Sequence, residues 1–249
     1  MKIQILSDLH LEFKHKKLPQ ISDEADVLIF AGDTSSLPEQ YGIYFESLRK
    51  RTSAPIVVVL GNHEFYHHMF EDAVDFYREY VEDIPDLYLL DNESVEIDGV
   101  KFVGTTLWTD FDKGRCEFEA FRYMNDFECI LTLDEERKLS TIVPNDMVNK
   151  FNENVRFLER EVDSGSVVIS HHGPSFACVS EAYKGSRVNG AYFSELSNFI
   201  LERNPKLWAY GHTHTHNVIE IGDTKVVCNP YGYPSEEYVS YVQNYIVEI

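Results

Sequence analysis

Short runs of consecutive apolar residues recur along the chain, and each predicts a β-strand that is buried on both sides. The runs are Ile3–Leu6, Val27–Ala31, Ile56–Leu60, Val167–Ile169 and Leu207–Tyr210. They are rich in Val and Ile and lack the polar alternation of a half-exposed strand. The sequence therefore predicts strands in a sheet whose two faces are both covered.

Helical periodicity and hairpin turns fill the segments between these runs. Apolar residues at steps of three and four predict helices over Met69–Ile84, Pro144–Val162 and Ala191–Arg203. Asp98-Gly99 predicts the turn of a hairpin within Val95–Thr105, and three further strands are predicted at Asn217–Ile221, Thr224–Cys228 and Ser240–Ile249. Strand–helix alternation followed by a hairpin-rich tail favours an α/β sandwich of mixed sheets.

Length, charge and cysteine spacing narrow the class of protein. The 249 residues show no repeat or linker, so we expect one domain over residues 1–249. The net charge of −20 repels phosphate backbones, which argues against duplex nucleic acid as a partner. We expect a soluble, cytoplasmic protein without a membrane partner, for three reasons. The four cysteines lack CxxC spacing, polar residues stand where a signal peptide would be apolar, and no apolar run reaches ~20 residues.

Asp, Asn or His, residue types that can bind metals, follow each of the five buried runs. The runs lead into Ser7-Asp8-Leu9-His10, Gly32-Asp33, Gly61-Asn62-His63-Glu64, Ser170-His171-His172-Gly173 and Gly211-His212-Thr213-His214. Each loop alone is typical of a turn or a helix cap. Ligands of α/β sheets bind at the carboxyl ends of the strands, so we expect all five loops to meet at one edge. Taken together, the loops predict a metal site.

In this order, D-x-H, G-D, G-N-H-E, H and G-H-x-H resemble the motifs of the calcineurin-like metallophosphoesterase superfamily, from Asp8 to His214. The resemblance implies a four-layer α-β-β-α sandwich of two mixed sheets, with two metal ions at the strand-end edge. The implied ligands are Asp8, His10, Asp33 and His214 for one ion, and Asp33, Asn62, His171 and His212 for the other. Two divalent ions repel each other, so a bridging anion is expected, and the family position assigns it to Asp33. Nitrogen and oxygen ligands without thiolate suit Mn, Fe, Zn or Ni, among which the side chains do not choose.

The resemblance implies a catalytic role for His63, which would aid the leaving group or the charge on the phosphoryl oxygens. An imidazole with a pKa near ~6.5 can donate a proton close to neutrality. In the protein phosphatases of this superfamily, an aspartate soon after Gly-Asp supports this histidine, but here Thr34, Ser35 and Ser36 follow. The sequence therefore does not identify the group that orients His63. His172 is expected to point away from the metals, either as a hydrogen-bonded neighbour or toward substrate.

The predicted activity is hydrolysis of a small anionic phosphoester, either a phosphodiester or a phosphorylated metabolite, by a hydroxide that the two metals activate. One alternative is a non-catalytic metal-binding scaffold, and another is a nuclease that acts on short single-stranded nucleic acid. The segment SDLHLEF also resembles the lipid-nucleotide hydrolases of the superfamily. Those enzymes need an apolar membrane-facing cap, and residues 107–144 of this chain are too acidic for that role.

Residues 107–144 fit neither the helical nor the strand period and are expected to form an irregular insertion over the active face. The segment contains Trp108, Phe111, Phe118, Phe121, Tyr123 and Phe127. These aromatic residues predict either a hydrophobic cluster beneath a long loop or a pocket wall in which Trp108 or Tyr123 stacks on substrate. Arg122, Asn125 and Asn189 are candidate phosphate or sugar contacts. The tail YGYPSEEY, residues 231–238, is expected to pack beside the metal site.

Overall fold

A computed structural model describes residues 1–14, 17–236 and 240–249. Its strands are β1 (Lys2–Leu6), β2 (Val27–Ala31), β3 (Ile56–Val59), β4 (Leu87–Leu89), β5 (Glu93–Ile97), β6 (Val100–Gly104), β7 (Leu131–Leu133), β8 (Leu139–Thr141), β9 (Val167–Ile169), β10 (Leu207–Tyr210), β11 (Asn217–Ile221), β12 (Thr224–Cys228) and β13 (Ile246–Glu248). Its α-helices are α1 (Pro38–Arg49), α2 (Ala73–Glu79), α3 (Glu117–Tyr123), α4 (Asp126–Cys129), α5 (Pro144–Glu161) and α6 (Ser197–Arg203).

The strands form two large mixed sheets and one small hairpin. The first sheet has the order β13-β1-β2-β3-β4, and the second has the order β11-β12-β10-β9-β6-β5. Strands β1 to β4 run parallel, and so do β12, β10, β9 and β6, whereas the edge strands β13, β11 and β5 are antiparallel. The β5–β6 turn at Asp98-Gly99, where both residues have positive φ, confirms the predicted hairpin.

Alternating side chains along the central strands divide the core into two parts. One cluster lies between the sheets and includes Ile5, Ile29 and Val57 with Phe102, Ile169 and Ala209. The intervening residues, such as Phe30 and Trp208, pack with helices on the outer faces, where Phe30 contacts Phe45 of α1 and Trp208 contacts Phe199 of α6. Both sheets are thus covered on both faces, and the predicted α-β-β-α sandwich is confirmed.

Helix α5 follows its sequence pattern closely. Pro144 occupies the first turn, where its missing N–H is not needed, and the Asp146 carboxylate accepts a hydrogen bond from the Val143 N–H. Met147, Phe151 and Leu158 share its buried face. The predicted helix is therefore confirmed.

Two other predicted helices are wrong in extent because backbone pairing takes the residues at their starts. The helix predicted over Met69–Ile84 is only α2, since the backbone around Met69 pairs with Leu131 of β7. The helix predicted over Ala191–Arg203 begins only at Ser197, because Phe193 pairs with Gly173. These long-range hydrogen bonds cannot be predicted from the spacing of apolar residues along the chain.

The predicted strand over Ser240–Ile249 is also shorter than expected. Only Ile246–Glu248 pairs with β1, opposite its residues Lys2, Ile3 and Gln4. Residues 107–144 are more regular than their pattern suggests, because they contain α3, α4 and the β7–β8 hairpin. Within the described ranges, no helix is long and apolar enough to cross a membrane.

Candidate metal centre

Five loops meet at one edge of the sandwich, where the parallel strands of both sheets end. Hydrogen bonds join loops of one sheet to loops of the other. The His171 imidazole bonds through Nδ1 to the Ala31 carbonyl at 2.9 Å, and the Asp8 carboxylate accepts the His212 N–H at 2.8 Å. The topology therefore brings together side chains that are more than 200 positions apart in the chain.

The Asp33 carboxylate lies at the centre of this cluster. Its Oδ1 accepts the His63 N–H at 2.9 Å. Its Oδ2 lies 3.4 Å from Nε2 of His171 and 3.7 Å from Nε2 of His10. Three overlapping groups have ligand atoms within 4.8 Å of one another: Asp8, His10 and His214; His10, Asp33 and His63; and Asp33, His171 and His212. Asn62, the remaining sequence-predicted ligand, places its Oδ1 3.0 Å from Nε2 of His171.

Three of these histidines are held through Nδ1, which leaves Nε2 for the centre. His171 donates Nδ1–H to the Ala31 carbonyl, and His214 contacts the Glu236 carboxylate at 2.8 Å. His10 lies 3.3 Å from Glu12 Oε1 through its own Nδ1. Carbonyl and carboxylate oxygens accept hydrogen bonds only, so these contacts place a proton on Nδ1 and leave Nε2 facing the centre. Histidines that bind metals are oriented in this way.

The residues fit divalent cations that prefer nitrogen and oxygen. Among the described residues, the buried Asp8 Oδ2 and His212 Nε2 have no hydrogen-bond partner. Nε2 of His10 lies 3.0 Å from Nε2 of His214, where two lone pairs repel unless a cation or a proton lies between them. Buried polar atoms normally have partners, so these atoms fit a site that holds a divalent cation.

The pKa shifts within the cluster also fit a site for positive charge. Burial opposes protonation of His214, but the Asp8 and Glu236 carboxylates outweigh it and raise the pKa of His214 to about 10. Burial is likewise outweighed at His171, where Asp33 raises the pKa to about 9. The pKa of His212 is instead lowered, by burial and by the neighbouring imidazoles. The carboxylates thus create a potential that favours positive charge between the imidazoles.

The backbone of the loops is strained at the site. Five of the residues in the cluster have positive φ, between 44° and 67°: Asp8, His10, Asp33, His212 and His214. Such conformations are uncommon outside glycine, and they concentrate at functional sites. Glycine is required beside them, because a Cβ on Gly61 would lie 2.2 Å from Asp33 Oδ1 and one on Gly32 would lie 2.3 Å from His171 Nδ1.

Glu64, the last residue of G-N-H-E, holds two of the loops together. Its buried carboxylate accepts the N–H groups of Gly61 and Asp33 on Oε2, and those of Thr34 and Ser35 on Oε1. Burial and the nearby Asp33 raise the pKa of Glu64 to about 8, against the effect of these four donors. The sequence motif contained Glu64, but nothing in the sequence indicated that it binds backbone.

His63 has two partners that sequence reasoning did not identify. Its Nδ1 lies 2.9 Å from Glu12 Oε1, and its Nε2 lies 3.0 Å from the Tyr233 hydroxyl. Burial opposes ionisation of Glu12, but the two imidazoles lower its pKa to about 2, and Asp33 and Glu12 raise the pKa of His63. Glu12 takes the place of the aspartate that the G-D motif lacks, and its only signal is its position two residues after His10.

Asn62 is oriented from its other side by residues of the 107–144 segment and its own turn. Its Nδ2 donates to the Tyr66 hydroxyl at 3.1 Å, and that hydroxyl donates to the buried Asp126 carboxylate at 3.3 Å. Burial raises the pKa of Asp126 to about 6. The amide oxygen of Asn62 is thereby directed toward His171.

A cavity of about 860 Å³ opens from this cluster. Tyr123, Asn125 and Asn189 line it, as the sequence analysis allowed, and so do Tyr233 and Glu236 of the tail. Glu237 and Tyr238 of that tail lie outside the described residues. Arg122 is not among the residues that line the cavity.

Trp108 belongs to a hydrophobic cluster, the first of the two predicted alternatives, and not to a wall that stacks on substrate. It is 2% exposed and packs in the core against Phe65 and Phe70. Phe111 and Phe127 are buried with it, whereas Phe118, Phe121 and Tyr123 are exposed. His172 is fully buried between Trp108 and His212, so it does not face the cavity, and burial lowers its pKa to about 3.

Comparison with known proteins agrees with this fold. The model of the calcineurin-like phosphoesterase family matches residues 1–216. The chain belongs to this family, whose members are metal-dependent hydrolases that act on phosphoric esters.

Individual relatives are distant. The chain is 27% identical over 197 residues to an uncharacterized protein of Acanthamoeba polyphaga mimivirus, with 73% of this chain and 69% of that protein covered. A phosphopantetheinyl hydrolase from Mycobacterium tuberculosis aligns over 100% of this chain and 95% of its own, with a TM-score of 0.73 and 16% identity. An archaeal phosphodiesterase covers 94% of this chain and 84% of its own at 16% identity, with a TM-score of 0.39.

Proposed function

We propose that the chain is a phosphoesterase that uses two divalent transition-metal ions, Mn, Fe, Zn or Ni, to hydrolyse a phosphodiester or a small phosphorylated metabolite. The supporting observation is the position of Asp33 Oδ2 between the imidazoles of His10 and His171. In this proposal Asp8, His10, Asp33 and His214 would hold one ion, and Asp33, Asn62, His171 and His212 would hold the other.

When bound, the two ions acidify a water molecule and supply positive charge beside the phosphoryl oxygens. His63 then acts through Nε2, because Glu12 occupies its Nδ1. The Nε2–H donates to the phosphoryl or leaving-group oxygen in place of the Tyr233 hydroxyl, which lies 3.0 Å away. A covalent cysteine intermediate is disfavoured, since burial raises the pKa of Cys178, the cysteine that lines the cavity, to about 12.

We further propose that residues 1–249 form one domain, that the protein is cytoplasmic, and that duplex nucleic acid is not its substrate. The net charge of −20 argues against duplex nucleic acid as a substrate. The single domain rests on the absence of a linker pattern, and the cytoplasmic location rests on the four cysteines without CxxC spacing.

The test is hydrolysis of nitrophenyl phosphate, a monoester, and of bis-nitrophenyl phosphate, a diester, after loading with each of the four metals. We expect metal-dependent release of nitrophenol, faster from the diester if phosphodiesters are the substrate class. His63→Ala serves as the variant that should keep its metals and lose about 100-fold or more in kcat. Full metal occupancy with neither ester hydrolysed would contradict the proposal and favour a non-catalytic scaffold.

A further inference from the structure

The cavity beside the metal centre has a wall rich in tyrosine. Tyr123, Tyr183, Tyr192 and Tyr233 line it, and the Tyr192 ring lies 4.7 Å, between centroids, from that of His212. Tyrosine rings give large, rigid contact area for flat or apolar groups. A cavity of about 860 Å³ is in the range that encloses a whole small molecule, so it has room for more than a phosphoryl group.

Apart from the histidines of the metal centre, the same wall carries no cationic side chain among the described residues. No Lys or Arg of those ranges lines the cavity, whereas Asp126, Glu181 and Glu236 do. Lys184 forms an ion pair with Glu181 of the wall, and the Arg122 guanidinium lies 5.8 Å from the Tyr123 ring centroid. Arg187, which lies between Ser186 and Val188 in sequence, lines a neighbouring cavity instead.

This composition limits what binds beyond the metal centre. Proteins bind additional phosphate or carboxylate groups with Arg and Lys, and neither lines this cavity among the described residues. A second anionic group would therefore leave water without gaining such a partner. An uncharged group has no charge to desolvate and would gain contact with the tyrosines, so the wall selects against a second charge.

We propose that the substrate bears its negative charge on a single phosphoester, and that the cavity receives an uncharged organic group with a flat or apolar part. This inference rests on the proposed function and narrows it. It places polyphosphates, and esters that carry a further phosphate or carboxylate, outside the substrate class.

Three diesters with the same leaving group test the inference: methyl, benzyl and 4-carboxybenzyl p-nitrophenyl phosphate. We expect kcat/KM to be higher for the benzyl than for the methyl ester, and about tenfold or more lower for the carboxybenzyl than for the benzyl ester. A carboxybenzyl ester hydrolysed as fast as the benzyl ester would overturn the inference and leave the proposed function standing. Failure of all three esters and of nitrophenyl phosphate, with the metals bound, would overturn the proposed function itself.

A variant that adds a positive charge to the cavity wall tests the same inference. Ala182 is exposed and lines the cavity, so a longer side chain there reaches it without disturbing the core. We expect Ala182→Arg to raise kcat/KM for the carboxybenzyl ester relative to the benzyl ester by about tenfold, while the matched Ala182→Gln leaves the ratio as in the unmodified protein. An unchanged ratio in Ala182→Arg would count against the charge argument.

Discussion

The contact between Glu12 and His63 gives the sharpest prediction for a single side chain. In Glu12→Gln the amide has one carbonyl oxygen, whereas the carboxylate faces His63 and His10 with Oε1 and the Ser36 N–H with Oε2. Whichever way the amide turns, its NH₂ faces a donor. The side chain is only 10% exposed, so water does not readily replace the lost bond.

The magnitude follows from the bond that is lost. Hydrogen bonds to charged groups contribute about 1.5–3 kcal/mol. If that energy orients His63 in the transition state, its loss lowers kcat by about 10- to 100-fold. The assay is steady-state hydrolysis of bis-nitrophenyl phosphate at saturating metal, so that any loss of metal affinity at His10 does not contribute.

A double-mutant cycle shows whether Glu12 acts through His63. We expect Glu12→Gln to lower kcat in the unmodified protein but to have little further effect in His63→Ala. The matched control is Glu236→Gln, which removes a similar carboxylate contact, 2.8 Å from Nδ1 of His214. That control should raise the metal concentration needed for activity while leaving kcat at saturating metal nearly unchanged. An equal loss from Glu12→Gln in both backgrounds would refute the reasoning.

Three further predictions follow from buried contacts. Glu64→Gln turns an NH₂ toward backbone donors and should lower the free energy of unfolding by about 2–4 kcal/mol in urea titrations; unchanged stability would contradict this. Tyr66→Phe keeps the ring but frees the Asn62 amide, so calorimetry should show about tenfold weaker binding of one ion, with the other unaffected. Gly61→Ala places a Cβ 2.2 Å from Asp33 Oδ1 and should abolish metal uptake measured by mass spectrometry, whereas normal uptake would show that the loop can shift.

The sequence predicted the fold class and the convergence of ligand residues because both depend on local signals. A buried strand followed at once by Asp, Asn or His has a recognisable pattern, and parallel strands end at a common edge. The prediction that a helix begins at Met69 was wrong because that boundary does not depend on a local signal. The start of the helix is set by pairing with Leu131, about sixty residues away, which leaves no mark on local periodicity.

The partners of His63 were hidden for the same reason. Glu12 is 51 residues from His63 and Tyr233 is 170 residues away, so only the tertiary structure shows that they meet. For Trp108 the sequence left two alternatives open, the hydrophobic cluster and the pocket wall. An aromatic residue in an acidic segment resembles a substrate contact, but its burial against Phe65 depends on how the turn after β3 packs.

Metal stoichiometry tests the central claim most directly. Purified protein is loaded in turn with Mn, Fe, Zn and Ni, freed of excess metal, and analysed by inductively coupled plasma mass spectrometry beside the Asp33→Ala variant. We predict two ions per chain in the unmodified protein for at least one of these metals, and loss of both ions in Asp33→Ala. No uptake of any metal by the unmodified protein, or two ions retained without Asp33, would contradict it.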